Sequence, residues 1–280
     1  MTRDSGTKPD VLRAVRHLAL DMDGTLYRGR TLFPFTVPFL DRIRDLGIGC
    51  TFLTNNASKS VSDYVRHLRG FGIAADASQI HTSGLATMDH LRRTSPGVRR
   101  LYVLGTPSLR EELTGAGFTV VGEDDEPDGV LVSFDTSLTF DRFCRAAWWI
   151  RRGKPYVATH PDRVCPTDQP TVLVDCGSIL ACLEQATGRA PDAVPGKPDP
   201  GMLSGILERH GLAPRELAMV GDRLYTDMAM ARRAGAVGVL VLTGEATAAE
   251  AAAYPEQPEF ILPSVRELGE LLINEKKGAR

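Results

Sequence analysis

Two carboxylates separated by a single residue, Asp21 and Asp23, stand where the apolar run 17–20 ends, and Gly24 and Thr25 follow them. In a strand, side chains two apart point the same way, so both acids reach one pocket. There one can attack an electrophile while the other moves protons. Gly24 permits the tight backbone excursion that follows. Asp and Gly are also ordinary turn residues, so the segment by itself reads as a turn too. A calcium loop is excluded, because the twelfth position counted from Asp21 is Leu32 rather than the bidentate Glu such a loop requires.

Three further segments sit at similar places. Thr54, Asn55 and Asn56 end the apolar run 49–53, where a hydroxyl and backbone N–H groups can hold a phosphate; the same triplet is an ordinary helix start. Gly196, Lys197 and Pro198 precede a helix with Asp199 as its expected N-cap and Pro200 at its first position. A helix N-terminus favours anions and the lysine adds a full positive charge, although such a tripeptide alone is a common loop. Asp222 and Asp227 follow the run 217–221, and two carboxylates converging there suit Mg²⁺, which prefers oxygen ligands. Asp227 taken alone could be an acidic residue in the first turn of a helix.

The elements around these residues explain how they could meet. Short apolar runs at 17–20, 49–53, 217–221 and 237–242 read as parallel strands buried on both faces, each leading into a helical pattern. Val61, Tyr64, Val65, Leu68 and Phe71 mark one helical face, and a last helix is expected near 264–273, with a polar, frayed tail from 274. The Ala-rich stretch 246–253 reads as a surface helix. Strand candidates at 101–104, 119–121, 130–134 and 156–158, with an acidic turn at 123–128, form a second α/β unit. The expected fold is therefore α/β: a Rossmann-like doubly wound parallel sheet, residues 1–83 and 191–280, with an inserted α/β domain, 84–190. Ligands bind at the carboxyl ends of the strands in such sheets. Four strand or loop ends here offer acid, hydroxyl, amine and acid, which together make a phosphoryl-transfer site.

Composition bounds the alternatives. A chain of 280 residues suits two domains or one large one, and it buries roughly three-quarters of its unfolded surface without needing disulfides. With 33 basic and 35 acidic side chains, the net charge of −2 excludes a nucleic-acid binder of the basic kind. No apolar run reaches the roughly 18 residues of a membrane helix, and residues 1–10, polar and without an apolar stretch, read as neither signal peptide nor anchor. Cys50, Cys144, Cys165, Cys176 and Cys182 are odd in number and form no CxxC pair. They read as small apolar fillers in a reducing compartment, the cytoplasm. No GxSxG elbow, GxxxxGK[ST] loop or GxGxxG after a strand is present, and the histidines at 17, 67, 81, 90, 160 and 210 lack ligand spacing.

The order DMDGT, TNN, GKP, GDRLYTD resembles the haloacid dehalogenase superfamily of aspartate-nucleophile phosphatases. The TNN form, the inserted domain and the segment 158–178 are similar to its NagD-type, 4-nitrophenylphosphatase-like subfamily, over roughly residues 16–273. The resemblance implies roles. Asp21 would be the nucleophile that forms an aspartyl-phosphate, and Asp23 would protonate the leaving oxygen and then activate water. Thr54 and the Asn55 backbone would hold the phosphoryl oxygens, with Lys197 neutralising charge. Asp21, Asp222 and the carbonyl of Asp23 would bind Mg²⁺, with Asp227 supporting the metal through water or a bond to a ligand.

Two departures bear on the substrate. His160 stands where the subfamily commonly has Asn or Asp, and 174–178 replaces a Pro-Gly-x-Gly-Ser-like stretch; Tyr225 also stands where an acid is common. The inserted domain would act as a cap that restricts the site to small phosphomonoesters. His160, Arg163 and Asp175 can hydrogen-bond hydroxyls, so a sugar or polyol phosphate is the first expectation; for these three a solvated loop is the competing one. Nucleotides, pyridoxal phosphate and phosphoglycolate are alternatives, as is a phosphotransferase or mutase with the same core residues. For the adjacent Trp148 and Trp149, packing in the core with partial exposure is expected, and the resemblance is compatible with a homodimer through the cap.

Overall fold

The apolar runs become strands in the computed structural model, which describes residues 8–167 and 169–277. His17–Asp21, Leu217–Gly221 and Val237–Val241 are buried at every position, as strands covered on both faces must be. A six-stranded sheet has the order Phe260–Leu262, Val237–Val241, Leu217–Gly221, His17–Asp21, Gly49–Thr54, Ile80–Thr82. His17–Asp21 pairs in parallel with both of its neighbours. The chain winds outward from it in one direction and resumes on its other side at Leu217–Gly221. The strand order thus reverses between these two strands, which is where open α/β sheets bind ligands. Register pairs Leu20 with Val220, so Asp21 and Asp222 leave the sheet at the same end.

Contacts divide the chain into two compact units. The first holds the chain up to Leu53, Leu68–Ile80 and the chain from Leu203 onward; the second holds Thr54–His67 and His81–Met202. Besides 84–190, the second unit thus includes 54–67, 81–83 and 191–202.

The second unit is built on a four-stranded sheet in the order Thr119–Val120, Arg100–Leu104, Gly129–Val132, Tyr156–Ala158, parallel throughout. Alternation along Arg100–Leu104 sends Leu101 and Val103 into one core, with Met88, Leu109 and Phe118. Tyr102 and Leu104 enter the other, with Trp149, Ile150 and Leu183. A short antiparallel ribbon, Val164–Cys165 with Leu173–Val174, completes the unit.

Some expectations need correction. The last helix runs Val265–Lys277, past 273, because Lys276 Nζ donates to the carbonyls of Arg13 and Val15 at 2.9 and 3.0 Å. The remainder of the expected frayed tail, 278–280, and residues 1–7 of the N-terminal segment lie outside the described residues. Helix Gly201–His210 begins one residue after Pro200, although Asp199 Oδ1 does accept from Gly201 N at 2.7 Å. Cys176 is buried, but Cys144 and Cys182 are exposed. The buried faces of their helices carry Ala146, Trp149, Ile150, Ile179, Leu180 and Leu183 instead. Trp149 is buried and Trp148 partly exposed, as expected. Among the described residues no helix is long and apolar enough to cross a membrane.

Candidate active site

In the first unit, Asp21, Asp222 and Asp227 each bring one carboxylate oxygen within 4.8 Å of the others. Asp21 closes its strand, and Thr25 Oγ1 donates to its Oδ2 at 3.2 Å. The chain then turns sharply: Leu26 N donates to the Met22 carbonyl at 2.8 Å and Gly24 N to that of Tyr27 at 2.8 Å. Gly24 has φ +87° there, a conformation that favours glycine. Asp222 follows Leu217–Gly221 and accepts from Glu245 N on Oδ2 at 2.7 Å. Asp227 lies in the π-helical turn Leu224–Met228 and accepts from Arg223 N at 3.1 Å. It is fully buried, which sets it apart from an exposed dipole-balancing acid of a first helical turn. Asp23 stands outside this cluster, half-buried, with its Oδ1 accepting from Gly29 N at 3.3 Å.

The electrostatics of the cluster call for a cation. Burial first, then the carboxylates of Asp21 and Asp227, hold the Asp222 carboxyl well above its usual range. Its Oδ1 is buried without a hydrogen-bond partner, and buried polar atoms are seldom left so. A Cβ at Gly244 would overlap the Asp222 carboxylate, so the backbone must come this close for the acid to lie here. Hard oxygen donors, close together and excess in negative charge, fit Mg²⁺.

In the second unit, Asn55 and Lys197 come together with Asp162. Thr54 Oγ1 accepts from Asn56 N at 3.1 Å. Asn55 Oδ1 accepts from Lys197 N at 2.7 Å, and its Nδ2 donates to the Lys197 carbonyl and to Asp162 Oδ1 at 3.0 and 3.1 Å. His160 is fully buried, so it does not lie on a solvated loop. Its Nδ1 is 3.8 Å from Asp162 Oδ2 and its Nε2 is 3.4 Å from Asp175 Oδ1. Asp175 is buried and caps helix Cys176–Thr187, accepting from Cys176 N at 2.6 Å. Arg163 is exposed; its backbone carbonyl, at least, accepts from Asp175 N and Ser178 Oγ at 3.0 and 2.7 Å. The Cys176 thiol is pushed up to about 12 by burial, which keeps it inert. Asp162 is the member that sequence reasoning missed. Its only signal was its position two residues after His160.

Residues 18–119 match a family model described as haloacid dehalogenase-like hydrolase, and residues 194–268 match a second, HAD-hydrolase-like one. Ribonucleotide monophosphatase NagD of Escherichia coli K12 is 33% identical over 254 residues, 91% of this chain and 98% of that protein. The structure of a 4-nitrophenylphosphatase from Thermotoga maritima superposes with a TM-score of 0.87 at 40% identity, over 93% of this chain and 98% of the other. A glycerol phosphate phosphatase from Mycobacterium tuberculosis, in complex with magnesium, gives 0.84 at 32% identity, over 93% and 78%.

Proposed function

The chain belongs to the haloacid dehalogenase-like hydrolase family, in its NagD-type branch of phosphoric monoester hydrolases, and on that premise we propose that it hydrolyses a small sugar or polyol phosphate with Mg²⁺ as cofactor. The observation that carries the reading is the convergence of buried Asp21, Asp222 and Asp227 with the unpartnered Asp222 Oδ1.

Asp21 is the nucleophile in this reading. Its carboxylate oxygen bonds to phosphorus as the bond from phosphorus to the ester oxygen breaks, and Asp23 gives its proton to the departing alkoxide. Asp23, now ionised, takes a proton from water as the water oxygen attacks the aspartyl-phosphate. Inorganic phosphate leaves and both acids are restored. Thr25 orients Asp21 through its hydroxyl. Thr54 and the Asn55 N–H hold phosphoryl oxygens, and the Lys197 ammonium offsets repulsion between carboxylate and phosphate dianion. Asp21, Asp222 and the Asp23 carbonyl hold Mg²⁺, with Asp227 supporting them. When bound, the ion supplies the positive charge that the acids and the dianion together lack.

Substrate choice falls to the inserted segment 84–190, with His160, Arg163 and Asp175 as the residues that set it. The name of the glycerol phosphate phosphatase relative supports a polyol phosphate. Five free cysteines suit a reducing compartment, and we assign the enzyme to the cytoplasm.

The test is release of inorganic phosphate from a panel of sugar and polyol phosphates, nucleotides, pyridoxal phosphate and phosphoglycolate, with Mg²⁺ and with chelator. Metal-dependent release that Asp21→Asn abolishes is expected; release that survives Asp21→Asn in clean protein would overturn the mechanism. A new phosphoester in place of inorganic phosphate would identify a phosphotransferase or mutase instead. A ranking led by nucleotides, pyridoxal phosphate or phosphoglycolate would overturn the substrate class alone.

A further inference from the structure

The side-chain amide of Asn55 is fully committed to the second unit. Its oxygen takes the N–H of Lys197 and its nitrogen serves both the Lys197 carbonyl and Asp162 Oδ1. The amide thus clasps the Lys197 backbone at two points. A flipped amide would set NH₂ against the Lys197 N–H and its oxygen against the Asp162 carboxylate, so the carboxylate fixes which way the clasp faces. Asn55, Asp162 and Lys197 are all buried, where hydrogen bonds are stronger and unpaired groups costlier than in water. No side chain separates the two loops, since a Cβ at Gly196 would overlap the Thr159 carbonyl and lie 2.8 Å from His160 Cβ.

Asp162 is steered in turn. The His160 ring has Asp162 at its Nδ1 edge and Asp175 at its Nε2 edge, and neither nitrogen makes a hydrogen bond. One ligand atom from each of His160, Asp162 and Asp175 lies within 4.8 Å of the others, so the three side chains pack as one buried cluster. The ring fills the space between Asp162 and Asp175, and Asp175 is anchored as the cap of helix Cys176–Thr187.

We propose that Asp162 is a positioning residue which, by orienting the Asn55 amide, sets the Lys197 backbone and with it the ammonium that binds the phosphoryl group, while His160 and Asp175 hold Asp162 in place. The inference rests on the reading of Lys197 as phosphate-binding. It makes Asp162, with His160 and Asp175 beside it, a determinant of phosphate affinity on every ester.

The experiment measures 4-nitrophenyl phosphate hydrolysis and its competitive inhibition by inorganic phosphate, with Mg²⁺ and the full chain. Asp162→Ala should raise both KM and the phosphate inhibition constant about 10-fold or more, the loss expected for one buried hydrogen bond to a charged group. Asp162→Asn keeps an oxygen acceptor for Asn55 and should restore both to within about twofold. In a Lys197→Ala background, Asp162→Ala should add nothing. Asn55→Ala removes the clasp but keeps the backbone N–H; it should show the same loss, and it decides the matter if Asp162→Ala does not fold. Wild-type constants in both alanine variants, or an undiminished effect without Lys197, would overturn the relay alone. Absence of turnover by the wild type would overturn the phosphatase reading and the relay with it.

Discussion

Gly24 and Asp222 approach so closely that a Cβ on Gly24 would lie 2.7 Å from the Asp222 carboxylate carbon. The turn after the nucleophile's strand and the acid from the neighbouring strand therefore occupy adjoining space that only a glycine leaves open. Gly24 also sits at φ +87°. Gly24→Ala should cost roughly 1–3 kcal/mol of stability from backbone strain, and displacing Asp222 should abolish most metal-dependent turnover. Full activity in a folded Gly24→Ala variant would contradict the account of this turn.

Asp222→Asn separates the charge of the cluster from its shape. Burial, and then the charges of Asp21 and Asp227, hold the Asp222 carboxyl well above the usual range, so without metal the substitution removes an acid that is costly to ionise there. The variant should then melt no lower than the wild type in chelator. Mg²⁺ at 100 times its Kd should stabilise the wild type by about 2.7 kcal/mol and leave Asp222→Asn almost unmoved. An equal Mg²⁺ shift in both proteins would remove Asp222 from the metal site.

Much of the fold was legible because burial on both faces writes unbroken apolar runs, and chemistry then shows as the polar residue that stops each run. Asp21, Thr54 and Asp222 were visible for that reason. The pairing of Asp162 with Asn55 was not, since it joins residues 107 positions apart and neither alone departs from a loop residue. The π-helical turn that buries Asp227 leaves no period in five residues. The extension of the last helix to Lys277 depends on backbone carbonyls near the other end of the chain. Local pattern carries none of these tertiary facts.

Tyr156 offers a test of packing away from the acids. Its ring is fully buried in the second unit's core and its hydroxyl has no hydrogen-bond partner. A buried unsatisfied hydroxyl costs on the order of 1 kcal/mol or more. Tyr156→Phe should therefore raise stability by about that amount with activity unchanged. Denaturation midpoints measure it, and a clear loss of stability would mean that the hydroxyl is satisfied in solution.

His17 gives the protein a pH dependence independent of catalysis. It is buried at the start of the central strand, with Nε2 2.9 Å from Thr51 Oγ1 and its ring 4.3 Å from that of His210. Burial, and secondarily the charge of His210, lower it from 6.5 to about 4. The folded protein therefore keeps His17 neutral at pH values where the unfolded chain takes up a proton. Its contribution to stability is complete above the unfolded value of 6.5 and is lost as pH falls through about 4. The loss across that window should be on the order of 3 kcal/mol. His17→Gln retains a partner for Thr51 but cannot titrate, so its stability should fall less steeply over the same range. Parallel stability curves for the two proteins would show that the protons taken up on acid unfolding belong elsewhere.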